Sequence, residues 1–139
     1  MQNNKKIRLV VDSNIWISAL WSQDFQIRTN AFFKSENCLV FSEMLFYELD
    51  KTIRKPHLAK KISQTNYVEL VSKLRTVTKL VDVRSKVEIC RDPKDNYLLA
   101  LAKDGDADYL ITGDYDLLVL EEFGKTKIVM LSDFEVALH

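Results

Sequence analysis

The chain has 139 residues, 47% of them apolar and 29% charged, with three Gly and two Pro; this is ordinary composition for one folded unit and argues against disorder. Lys plus Arg number 20 and so do Asp plus Glu, so no global positive field advertises nucleic acid, although opposite charges on different faces would cancel in that sum. With His57 and His139 the only histidines and Cys38 and Cys90 two isolated thiols, a His pair, a Ser-His-Asp triad, a zinc site and a disulfide framework all lack support, and catalysis falls to carboxylates.

Met1-Gln2-Asn3-Asn4-Lys5-Lys6 leads into an apolar run of only Ile7 to Val11, too short for a signal-peptide core or a membrane span, so a cytoplasmic protein away from the membrane is expected. That β-branched run reads as a strand; Asp12, Ser13 and Asn14 suit a turn or cap, and Ile15 to Leu20 a helix. Cys38 to Phe41, then Ser42 and a helix over Glu43 to Ile53, repeat the arrangement, with Leu45, Leu49 and Ile53 as one apolar stripe. Pro56 should end that helix. Leu58 to Leu80 reads as helical, with Tyr67, Leu70, Val71 and Leu74 at helical spacing, and leads into a candidate strand at Leu80-Val81-Asp82-Val83. Asp92-Pro93-Lys94-Asp95 opens a helix through about Lys103, Tyr109-Leu110-Ile111 is a strand, Leu117-Leu118 a short helix, and Lys127 to Met130 a last strand. Core packing is the first explanation for Trp16, Trp21, Phe25, Phe32 and Phe33, with a share in an interface as the other.

Strands alternating with helices imply right-handed crossovers: a single α/β unit over residues 1–139, with a mainly parallel sheet covered by helices on both faces. Ligands of such sheets bind outside the carboxyl ends of the strands, so the residues just after each strand matter most. Acids recur there. Asp12 follows the first strand, Glu48 lies six residues beyond Ser42, Asp92 and Asp95 open a helix, and Asp114 follows Thr112-Gly113.

Each acid also has a purely structural explanation. Asp12 can cap the first helix, Glu48 can face solvent beside its stripe, and Asp114 and Asp116 can cap and open the short helix at Leu117-Leu118. Asp92 before Pro93 has the form of an N-cap and is not nominated as a ligand, and Asp95 can close a capping box. Together, however, carboxylates converging on one sheet edge repel one another unless cations intervene. Oxygen ligands without His or thiolate suit Mg²⁺ or Mn²⁺, and such ions also bind phosphate oxygens, so a phosphate ester is the implied substrate. Asn14 and Thr112 are placed to hydrogen-bond a ligand carboxylate or a metal-bound water, and capping is as good an account of each. Arg54, Lys55, Lys60 and Lys61 belong to the densest basic stretch, one turn beyond Glu48, and can track an RNA backbone or form a solvated face.

The motifs resemble those of PIN domains. Val11-Asp12-Ser13-Asn14-Ile15-Trp16-Ile17-Ser18-Ala19-Leu20 is similar to the family's opening motif and Ser42-Glu43-Met44-Leu45-Phe46-Tyr47-Glu48-Leu49 to its second. Arg91-Asp92-Pro93-Lys94-Asp95-Asn96, continuing to Ala102, resembles the third, and Tyr109 through Leu118 the fourth, all in family order. The resemblance implies a three-layer α/β/α fold with a mainly parallel sheet of four to five strands. It further implies an Mg²⁺- or Mn²⁺-dependent endoribonuclease with Asp12, Glu48, Asp95 and Asp114 as catalytic, metal-holding acids and Asp116 as a fifth. The likeness is nearest to toxins of toxin–antitoxin pairs, which implies an RNA substrate, an antitoxin protein and a homodimer; a non-catalytic RNA-binding or regulatory module is the alternative. Trp21-Ser22-Gln23-Asp24-Phe25 departs from the small, Gly-containing loop of several relatives, which puts the shape of one groove wall in doubt.

Overall fold

The computed structural model describes residues 5–137; Met1 to Asn4 of the opening segment, and His139, lie outside the described residues. Six strands form one sheet: β1 (Ile7–Val11), β2 (Asn37–Phe41), β3 (Lys79–Leu80), β4 (Tyr109–Ile111), β5 (Glu122–Phe123) and β6 (Thr126–Val129). Their spatial order is β3-β2-β1-β4-β6-β5, and every pairing is parallel except the antiparallel pair of β5 with β6. Leu9, Val10 and Val11 in β1 are all fully buried. Because successive strand residues face opposite sides, both faces of the sheet must be covered, and the apolar runs follow from that.

Helices α1 (Ser13–Trp21) and α2 (Phe25–Asn30) follow β1, and α3 (Glu43–Ile53), α4 (Pro56–Ala59) and α5 (Gln64–Val77) follow β2. A 3-10 turn at Pro93–Asp95 leads into α6 (Asn96–Asp104), α7 (Tyr115–Leu118) follows β4, and α8 (Leu131–Ala137) follows β6. Local chemistry sets these boundaries. Ser42 Oγ accepts from Leu45 N at 3.1 Å to start α3, whose stripe of Leu45, Leu49 and Ile53 is buried. Gly105, at the end of α6, admits no side chain, since an added Cβ would stand 2.5 Å from Val40 Cγ1 and 2.8 Å from the Leu101 carbonyl. That close approach seats α6 against the sheet. Among the described residues, no helix is long and apolar enough to cross a membrane.

Several expectations are corrected. The sheet has six strands, not four to five, because β5 is a two-residue strand that turns into β6 through Gly124 at φ +59, too short to leave a period-two signature. The expected strand at Leu80 to Val83 shrinks to Lys79–Leu80. Val81 N still donates to Phe41 O at 2.8 Å, but β2 ends there, so Asp82 and Val83 have no strand to pair with. The expected helix from Leu58 to Leu80 is interrupted, since Ser63 takes extended backbone and its Oγ accepts from Asn66 N at 3.2 Å, starting α5 afresh. Trp16, Phe25 and Phe32 are core residues, and Trp16 packs on Phe32 with ring centroids 5.0 Å apart. Trp21 is not, being 46% exposed with Lys61 Nζ 5.3 Å from its ring centroid.

Candidate active site

The direction of chain progression in the sheet reverses at β1, which pairs with β2 on one side and β4 on the other, so a crevice opens between the carboxyl ends of β1 and β4. Val11 stands opposite Ile111 across that pair. The next residues, Asp12 and Thr112, are therefore neighbours although 100 positions separate them. Thr112 Oγ1 donates to Asp12 Oδ2 at 2.8 Å and accepts from Asp114 N at 3.0 Å. One buried hydroxyl thus fixes two of the expected acids. Thr112 N is itself held by Val129 O at 3.0 Å, which ties the arrangement to β6.

Asp12 is 4% exposed. Burial is the chief influence on its carboxyl and raises its pKa, the nearby Asp114 charge adds to the rise, and hydrogen bonds from Thr112, Asn14 and Ser13 work the other way. Asp12 also caps α1 by accepting from Asn14 N at 3.5 Å, and Ser13 Oγ donates to Asp12 Oδ1 at 3.4 Å. The capping and ligand roles coexist because the two carboxylate oxygens point to different partners. Asn14 contributes its backbone amide; its side chain is exposed.

Asp95 stands where the 3-10 turn meets α6, and its Oδ2 is buried without a hydrogen-bond partner. Burial first, then the approach of the Asp114 carboxyl and the charges of Asp114, Asp92 and Asp12, push Asp95 up to about 7. Carboxylate oxygens of Asp92, Asp95 and Asp116 can be chosen that lie within 4.8 Å of one another. Asp92 caps the turn as expected, accepting from Lys94 N at 3.1 Å, yet it also stands in this trio, a place the capping reading had denied it. Asp116 belongs to the trio as well, with its backbone N donating to Asp114 Oδ1 at 2.8 Å and its Oδ1 2.8 Å from Arg91 Nη2.

Glu48 approaches from α3, and Tyr97 from α6 links it to the rest. The Tyr97 hydroxyl is held well above its ordinary pKa, by burial foremost and then by the charges of Asp12, Glu48 and Asp95. Glu48, Asp12 and Asp114 stand outside the tight trio of Asp92, Asp95 and Asp116. Tyr97, Ser13 and Arg91 were not singled out from the sequence. No spacing rule singles out Tyr97, which sits two residues beyond Asp95, a separation that does not share a helix face. Of the expected RNA-binding residues, Arg54, Lys55, Lys60 and Lys61 are all exposed on and around α4. Arg54 spends its charge on Asp50 at 2.7 Å.

An all-oxygen donor set with one buried, unsatisfied oxygen fits a hard divalent cation. The Thr112 hydroxyl supports that set from behind. Thr112→Val keeps the volume and deletes both hydrogen bonds, so divalent-ion affinity measured by calorimetry should fall about 10–100-fold, with a stability loss of about 1–3 kcal/mol. Unchanged affinity would remove Thr112 from the site.

A model of the PIN domain family matches residues 8–116, the span from β1 to Asp116 that supplies all of these groups. An uncharacterized protein of Methanocaldococcus jannaschii is 28% identical over 129 residues, covering 86% of this chain and 79% of that one. The crystal structure of PAE2754 from Pyrobaculum aerophilum superposes with a TM-score of 0.55 at 17% identity, covering 95% of this chain and 89% of that chain. At that identity the likeness speaks to the fold.

Proposed function

The chain belongs to the PIN domain family, and from that premise we propose that it is a metal-dependent endoribonuclease that hydrolyses RNA phosphodiester bonds. The observation that carries the proposal is the gathering of Asp92, Asp95 and Asp116 within 4.8 Å, with a buried Asp95 oxygen left unsatisfied. Asp12, Glu48, Asp95 and Asp114 are the residues that would hold Mg²⁺ or Mn²⁺, with Asp116 and Asp92 at the outer end. When bound, the ion supplies a water of lowered pKa and neutralises charge on the phosphoryl oxygens.

The protein's own groups do the positioning. Thr112 and Ser13 keep the Asp12 carboxylate in one orientation, and the Asp116 amide does the same for Asp114. Tyr97, kept protonated by burial and then by the surrounding acids, offers a hydrogen-bond donor there and never a competing charge. Lys55, Lys60 and Lys61 are exposed cations on the flank beyond α3, suited to a phosphate backbone running toward the acids. We extend the proposal, on the resemblance of the motifs to toxins, to a cytoplasmic homodimer restrained by an antitoxin protein.

The test is incubation of the purified protein with a mixed RNA panel in Mg²⁺, Mn²⁺ or EDTA. Cutting in the metal-containing samples and intact RNA in EDTA is expected, and adding the product of the adjacent gene should suppress the cutting. RNA that stays intact throughout, yet binds equally well in EDTA, would replace the nuclease with an RNA-binding module. Cutting that the neighbouring product leaves untouched would drop the antitoxin half alone.

A further inference from the structure

A guanidinium stands at the mouth of this acidic crevice. The Arg91 side chain is 79% exposed and its Nη2 lies 2.8 Å from Asp116 Oδ1, whereas Asp116 is only 23% exposed. Among the described ion pairs, none of the others involves an acid of the site: Arg54 pairs with Asp50, Arg75 with Glu43, Arg84 with Asp82, and Lys125 with Asp106 and Asp108. The two partners also differ in freedom. Asp116 is anchored, since its backbone amide donates to Asp114 Oδ1 and it sits in the first turn of α7. Arg91 lies in the irregular segment before the 3-10 turn, on a long stem that solvent surrounds.

The positive group therefore faces two opposing demands. Paired with Asp116, one of three carboxylates that lie within 4.8 Å of one another, it offsets part of their charge, which is also what a divalent ion does. Both cations cannot occupy the same face of Asp116 with full effect. An exposed pair of this kind is weakly held, so displacing the guanidinium costs little. Once displaced, it stays tethered one residue from Asp92, with a planar fork whose geometry matches a phosphate.

We propose that Arg91 is an exchangeable counter-ion: it competes with a divalent ion for Asp116 and, once the ion displaces it, takes an RNA phosphate. This rests on the nuclease reading. It makes Arg91 both a competitor of the metal and a ligand of the substrate, two effects of opposite sign on substitution.

The experiment compares wild type, Arg91→Ala and Arg91→Lys. Mn²⁺ affinity is read by calorimetry, and RNA affinity against salt is read with Ca²⁺ at a fixed concentration. Arg91→Ala should bind Mn²⁺ about two- to fivefold more tightly, the size an exposed ion pair allows. Its log affinity for single-stranded RNA should depend on log salt with a slope smaller in magnitude by about 0.7, one phosphate contact. Arg91→Lys should keep the slope. Mn²⁺ affinity that is unchanged or weaker in Arg91→Ala overturns the exchange, because a merely structural arginine would only help to place Asp116. A wild type that binds RNA with a slope unmoved by Arg91→Ala overturns the phosphate contact and leaves the nuclease reading intact. A wild type that binds Mn²⁺ and no RNA overturns the nuclease reading, and the substrate half of this one with it.

Discussion

Asp12→Asn is expected to lower kcat/KM for RNA cleavage by about 10³-fold or more, some 4 kcal/mol of lost transition-state stabilisation, while the fold stays in place. Asp12 is 4% exposed and its carboxyl is pushed up by burial, so in the metal-free protein its charge is a burden on the fold. Asn has the same shape and keeps the N-cap through its one amide oxygen; its NH2 then faces Thr112 Oγ1, which can accept from it in place of donating, so that contact survives with its direction reversed. Melting in EDTA should therefore occur at the same temperature as wild type or higher. The two readouts move independently only if the carboxylate serves chemistry and not architecture. A folded Asp12→Asn protein that cuts RNA at the wild-type rate would sink the carboxylate mechanism.

The second large effect is one of pH. Asp95 is held near 7 by its burial and by Asp114, above the ordinary carboxylate range of an unfolded chain. A folded-state pKa raised in this way means that the native protein binds the proton more tightly than the unfolded one. The stability it contributes is present in full below about pH 4 and is lost as pH rises through about 7. Solvent at the crevice mouth screens the effect, leaving a loss of about 1–2 kcal/mol for the metal-free protein between those limits. Other acids titrate too, so the measurement is a difference. Asp95→Asn should gain on wild type in EDTA by that amount at pH 8 and by almost nothing at pH 4, in chemical denaturation. Saturating Mn²⁺ should reverse the order at pH 8, because the ion takes the proton's place in wild type and finds one ligand fewer in the variant. A stability difference that does not vary with pH would mean that Asp95 carries no excess proton.

Much of the site was legible because two independent signals coincide. Apolar runs locate β1, β2 and β4, and acids placed just beyond them locate the carboxyl edge of a parallel sheet. Asp12 and Thr112 needed only the added fact that β1 and β4 are neighbours. Less legible was Asp92, whose Asp-Pro form reads as a cap and is one; sequence does not disclose that a capping carboxylate also comes close to Asp95 and Asp116. Arg91 and Tyr97 were missed for a related reason, since their roles depend on where side chains end and not on where the backbone turns. The segment after β3 misled because β propensity at Val81 and Val83 is real, while a strand requires a partner, and β2 stops at Phe41. The short β5 failed for want of length.

The hydrogen bond from Thr112 to Asp12 spans 100 positions of chain, and this sets when the site comes into being. During synthesis Asp12 and Glu48 emerge early, beside none of Asp95, Thr112 and Asp114. About 5 to 20 s of elongation separates Asp12 from Thr112. Until β4 inserts beside β1, the nascent chain has acids but no crevice to hold them together. If the chain is the nuclease proposed above, this order of assembly would keep it inert toward RNA until β4 has emerged, the message from which it is being read included.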